Sequence, residues 1–175
     1  MKKLILTYGS IGGVVVLILM YLSQLISKDS NGNTNFELAE TLGYVSMILA
    51  LSVIFLGIKS YRDQDLGGEI SFGKAFKVGV LITLVASAFY IIGWMIYYHA
   101  TDGAADFMNQ YMEASVTKME AAGSSLEEIN AFKKQSMEFA KTYENPLVMA
   151  GVTLMEIFPV GLVITLASSL ILKKQ

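Results

Sequence analysis

The sequence predicts an all-α, polytopic membrane protein. It should have four transmembrane helices and an extracytoplasmic two-helix hairpin between the third and the fourth. Three observations carry this. The 175 residues are 54% hydrophobic with a mean hydropathy of +0.53, above the roughly 45–50% apolar content of soluble domains. The excess collects into four long runs, with the charges gathered between them. The runs show no period-two alternation, so of the two structures that can satisfy their backbone inside lipid, helices and closed barrels, only helices fit. The length suits a single domain over 1–175.

The first span covers about 4–26 and holds no ionisable side chain other than Tyr8 and Tyr21. It follows Met1-Lys2-Lys3 as a signal peptide would. It exceeds the 7–15 residues of a signal-peptide core and lacks a small-x-small cleavage site, so a retained helix is expected. Gly9, Gly12 and Gly13 permit close helix approach, first within the chain and second between copies through the Gly9/Gly13 face. The second run is Leu42 to Ile58, extendable back to Leu38 for a span of about 38–58. The third covers about 75–98 and is charged only at Lys77; the fourth covers about 147–172 and is charged only at Glu156. A bilayer-crossing helix needs about 20 residues. Three runs meet that comfortably and the second nearly does.

Lysine and arginine set the orientation. Lys2, Lys3, Lys173 and Lys174 flank the termini, and Lys59, Arg62, Lys74 and Lys77 surround the short second connection. Both termini and that connection are therefore expected on the cytoplasmic side, with the first and third connections facing outward.

Residues 27–41 read as a polar, turn-rich connection. Residues 59–74 read as a short inner one, turning at Gly67-Gly68, with Ser71 placed to cap the third span. Residues 99–146 hold the expected hairpin, about 102–145. Phe107, Met108, Tyr111, Met112, Val116 and Met119 recur at helical spacing, Gly123 can end that helix, and Ser125 with Glu128 forms a capping box for the next. Pro146 suits the first turn of the last span. The methionine-rich face could pack on the bundle or receive a partner.

Few residues point to chemistry. With no cysteine, disulfides, thiolate metal sites and cysteine nucleophiles are excluded. A net charge of −2 offers no basic face for nucleic acid. "GEISFGKA" (68–75) has the outline of a phosphate-binding loop, with Gly68, Gly73 and Lys74. Ala75 stands where a magnesium-holding Ser or Thr is needed, and no strand precedes it, so no nucleotide is expected. Lys74 and Lys77 should instead face lipid headgroups. His99, Asp102 and Asp106 share a helical face but lack a strong ligand set, so no metal or cofactor is expected. The lone histidine has no serine–acid companion, and an enzyme is not expected.

Glu156 is the exception, in "LMEIFPVGLVITL" (154–166). A charged acid at mid-membrane costs about 3 kcal/mol on insertion scales, so a neutral, hydrogen-bonded acid is expected. At about 1.5 Å per residue it lies roughly 14 Å from the outer end. Ser52, Ser87 and Tyr90 lie at similar depth and could bond to it. Pro159 should bend the helix one turn further in, and Gly161 allows close packing there.

"YRDQDLGGEISFGKAFKVG" (61–79) and "EIFPVGLVITLASSLILKK" (156–174) resemble the signatures of domain-of-unknown-function family 4199, small membrane proteins of Bacteroidota. The resemblance covers essentially the whole chain. The matching positions are Arg62, Asp63, Gly68, Ser71, Phe72, Gly73, Phe76, Gly79, Glu156, Pro159 and Gly161. It implies a four-span inner-membrane protein and no particular activity. The first functional expectation is a non-enzymatic component of a membrane assembly, contacting itself or a partner through the outer hairpin or the Gly9/Gly13 face. The second is a small transporter or proton-coupled carrier that uses Glu156 at the Pro159 bend.

Overall fold

The computed structural model describes residues 1–29, 32–100 and 103–174, with side chains throughout except over 103–107. Every regular element in it is helical: α1 (Lys2–Ile26), α2 (Phe36–Leu51), α3 (Val53–Ser60) with a π-helical turn at Tyr61–Asp65, α4 (Phe72–Ala100), α5 (Gly103–Ala121), α6 (Leu126–Tyr143) and α7 (Pro146–Leu172). Four stretches are long and apolar enough to cross a membrane: Lys2–Ile26, Phe36–Asp65, Phe72–Ala100 and Pro146–Leu172.

Local chemistry sets the boundaries. The Asn35 side chain accepts from the Leu38 N–H at 3.1 Å and starts α2 two residues before the expected span. Asn145 accepts from the Leu147 N–H at 2.9 Å, and Pro146 follows at the start of α7, where its missing N–H costs nothing. Ser125 and Glu128 complete a reciprocal capping box on α6. The second span is interrupted at Ser52. The Ser52 hydroxyl donates back to the Leu49 carbonyl at 2.6 Å, a local bond that competes with the helix ladder and separates α2 from α3. Helix α7 runs unbroken through Pro159, which lies on its exposed side.

The spans close into a ring in which α1 packs on α2, α3 and α4, α4 on α7, and α7 on α3. Small residues set these approaches, because lipid supplies no hydrophobic drive between helices. At α1–α4, a Cβ on Gly9 would sit 2.5 Å from Val85 Cβ, and one on Gly13 would sit 2.6 Å from Phe89 Cβ. The glycine stripe is therefore spent inside the chain. This corrects the expectation that Gly9/Gly13 could serve as a face for a second copy.

The α4–α7 seam is reciprocal. Gly79 of α4 receives Thr165 of α7, whose Cγ2 would lie 2.5 Å from an added Cβ, and Gly161 of α7 receives Thr83 of α4. Both threonines are fully buried. Thr83 Oγ1 donates to the Gly79 carbonyl at 2.9 Å and lies 3.3 Å from Thr165 Oγ1. The hydroxyls that the close approach buries thus find partners within the seam.

The termini meet at one end of the bundle. Ile70 and Lys174 exchange backbone hydrogen bonds, both of 3.0 Å. Arg62 Nη1 donates to the Leu172 carbonyl at 3.4 Å, satisfying one of the carbonyls a helix C-terminus leaves open. Its Nε bonds Asp63 at 2.7 Å. Gly67 and Gly68 adopt φ of +67° and +97°, the left-handed conformation that turns the chain into α4. Residues 72–75 are already helical, so the phosphate-loop outline forms no loop there.

The α4–α7 seam makes a direct prediction. Gly161→Ala places a methyl against the Thr83 Cβ as well as its branches, so χ1 rotation does not relieve it. Overpacking of this kind costs about 1–3 kcal/mol. Denaturant titration in micelles should show that loss, while Gly151→Ala, with nothing within 4 Å of the added Cβ, should be neutral or slightly stabilising. A second prediction concerns the cap of α6. The Ser125 backbone N–H, then its hydroxyl, bond the Glu128 carboxylate and hold it below the usual carboxylate range. A group with a lowered folded-state pKa adds stability above its unfolded value of about 4.3, and that stability is lost as pH falls through the folded value. The Ser125 amide should therefore lose exchange protection on acidification below about pH 4, and Glu128→Gln should remove this pH dependence.

Candidate functional site

The bundle is tightly filled at the terminal end and open at the other. Leu51, Ile54, Ile82, Ala86 and Ile157 are at most 0% exposed and form a closed layer. On the side of that layer away from the termini lies a cavity of about 740 Å³. Helical spacing aligns one stripe of each wall with it. Helix α1 presents Val16, Met20 and Gln24; α2 presents Glu40, Gly43, Tyr44 and Met47; α4 presents Tyr90 and Trp94; α7 presents Val152 and Glu156. These offsets of three and four residues are those that share a helix face.

Helices α5 and α6 add the remaining walls of a cavity that stays partly open. Methionines 108 and 112 of α5, and Phe132, Phe139 and Tyr143 of α6, line it. The methionine face singled out in the sequence is thus turned, at these positions, toward the cavity. Several contacts hold the two helices in place. Gln110 Oε1 accepts from the Thr34 N–H at 3.1 Å, and Tyr111 meets Phe36 edge to face at 5.4 Å. Tyr143 Oη accepts from the Trp94 indole N–H at 2.7 Å, and the Tyr143 ring packs on Tyr98. Burial pushes the Tyr143 hydroxyl above its ordinary value, so it stays a neutral hydroxyl at physiological pH.

Glu156 forms part of the cavity floor. It lies ten residues into α7, about 15 Å by helical rise, yet its side chain remains exposed to the cavity. The Tyr90 hydroxyl donates to Glu156 Oε2 at a long 3.5 Å. Of the three partners that depth suggested, the structure brings only Tyr90 to the acid. Ser52 faces outward and bonds Leu49. Ser87 is buried, and its hydroxyl has no hydrogen-bond partner among the described residues. Both are corrections; for Ser52 the cause is that depth along a helix does not fix the direction around it. Glu40 is a feature the sequence reading missed. It stands one turn into α2, nearer the end of the bundle away from the termini, where the expected connection (27–41) and the expected span (38–58) overlap.

The other sequence-selected residues serve the frame. Arg62, Asp63 and Gly68 belong to the clasp and turn at the termini, as do neighbouring Ser71, Phe72, Gly73 and Phe76 at the start of α4, where Phe72 and Phe76 stack at 5.7 Å. The Ser71 carbonyl accepts from Ala75 N–H at 3.0 Å. Lys74 and Lys77 are exposed there. His99 packs edge-on against Tyr98; Asp102 and the side chain of Asp106 lie outside the described residues. Among the described residues no three of His, Cys, Asp and Glu gather as a metal site would need.

A family profile described as "Protein of unknown function (DUF4199)" matches residues 7–174. The chain belongs to this family. No curated protein and no solved structure matches it. In this DUF4199 protein the matched stretch takes in the last three spans, the α5–α6 segment and all but the first five residues of α1. Of the eleven signature positions, Glu156 alone lines the cavity; Gly79 and Gly161 form the seam that sets α7 against α4.

Proposed function

We propose that this protein is a non-catalytic membrane protein that holds a small, largely apolar molecule in the cavity, with Glu156 as the polar anchor. One observation carries the reading: a deep acid lines a partly open cavity of about 740 Å³ instead of being sealed among neighbours. Small-molecule sites fall at about 300–1,000 Å³, with mostly apolar walls and a few converging polar groups. Positive charge around the termini supports a cytoplasmic placement of that end in a bacterial inner membrane. The α5–α6 hairpin and the cavity mouth would then lie outside.

The geometry favours ligand binding over a role as an assembly component. The Gly9/Gly13 stripe is already occupied by α4, and Met108 and Met112 line the cavity. A proton-coupled carrier is the second reading. It is favoured by Pro159, which removes a backbone bond one turn from Glu156, beside the buried Thr83–Gly161 contact that closes the way to the termini. Carriage would require that contact to part.

Trp94 is the chain's only tryptophan and lines the cavity, so its emission reports occupancy. Gly43 has open space where a side chain would go. In nanodiscs, the neutral fluorophore N-phenyl-1-naphthylamine should quench Trp94 saturably at one site per chain. Gly43→Phe should abolish that quenching without lowering the melting temperature. Purely non-saturable quenching, the same in both proteins, would overturn the reading.

A further inference from the structure

The charges around the cavity are one-sided. Glu156 contributes to its floor, and Glu40 stands about 6 Å into α2 by helical rise, near its mouth. Among the described residues that line it there is no lysine, arginine or histidine. The first three spans and both of the other helices add aromatic or thioether side chains, including Tyr44, Tyr90, Trp94 and Tyr143, while α7 adds Val152 and Glu156. Glu156 has one long hydrogen bond and no ion pair among the described residues.

Each ligand class meets these walls differently. An anion would face two carboxylates with no counter-charge. A neutral molecule would fill the apolar volume but give an ionised Glu156 no counter-charge, so it would suit only the protonated acid. A small inorganic cation would need several oxygen ligands replacing its water, and no such cluster gathers among the described residues. A large cation with spread charge loses little hydration. It gains attraction from the carboxylate, from aromatic faces and from polarisable methionine sulfur, and it fills the volume.

We infer that the ligand of the cavity is a lipophilic organic cation, its charge seated beside Glu156 and its apolar groups among the aromatic side chains above. The inference rests on the cavity-binding reading and adds the sign of the charge. Glu156 supplies the counter-charge, Tyr90 positions its carboxylate, and Glu40 favours cations at the mouth.

The test uses the full chain in nanodiscs of zwitterionic phosphatidylcholine, read by Trp94 emission with three probes: tetraphenylphosphonium, tetraphenylborate and N-phenyl-1-naphthylamine. Tetraphenylphosphonium should bind saturably. Glu156→Gln should weaken it about tenfold or more, Glu156→Asp should retain most of its affinity, and the neutral dye should bind wild type and Glu156→Gln alike. Retained dye binding shows that the variant still holds its cavity. If the dye binds but tetraphenylphosphonium does not, or binds Glu156→Gln equally well, the charge inference is overturned and the cavity-binding reading stands. Tetraphenylborate binding as tightly as the phosphonium would overturn the charge inference in the same way. If neither the phosphonium nor the dye binds, both fall.

Discussion

The interlock of α4 with α7 is the constraint on which the rest depends. Thr83 enters the space left by Gly161, and Thr165 enters the space left by Gly79. Inside lipid, helices gain nothing by hiding apolar surface from one another, so this contact must come from close packing and satisfied hydroxyls. It supplies both. It also fixes the rotation of α7, and rotation decides what Glu156 sees. A residue five positions before Gly161 on the same helix cannot turn from lipid to cavity unless the seam is remade.

From that constraint the molecule divides into a closed end and an open end. At the closed end, the core around Leu51, Ile54, Ile82 and Ile157 fills the bundle, and the C-terminus is clasped by Arg62 and by backbone pairing of Ile70 with Lys174. At the open end, α2 and α7 both line the cavity, and α5 and α6 add side chains such as Met108, Met112, Phe132 and Tyr143 to its walls. The break at Ser52 falls between the two regimes. A single hydroxyl that bonds its own helix marks where the second span passes from packed core to cavity wall.

The spans were legible because lipid imposes length and apolarity on the sequence, and α6 because Ser125 and Glu128 form a local cap that needs no tertiary context. The contact between Glu156 and Tyr90 was legible from depth, since both lie about ten residues from the same end of their helices. The same count offered Ser52 and Ser87 as partners, and neither bonds the acid: Ser52 faces outward, because depth carries no information about direction around the axis, and the Ser87 hydroxyl has no partner among the described residues. Glu40 was hidden by its polar neighbours, although Asn35, placed to cap a helix starting at Phe36, was a signal that could have revealed it. The cavity itself was not legible. It is a volume left between six helices, and no local pattern encodes it.

The central claim is that position 156 communicates with the open side of the protein and not with the side of the termini. The chain has no cysteine, so a single introduced thiol reports without background. The most direct measurement is labelling of Glu156→Cys, and separately of Thr165→Cys, with a membrane-impermeant thiol reagent applied from each face of oriented vesicles. The account predicts labelling at 156 from the face bearing α5 and α6 only, and none at 165 from either face. An unreactive 156, or one labelled from the face bearing the termini, would contradict it.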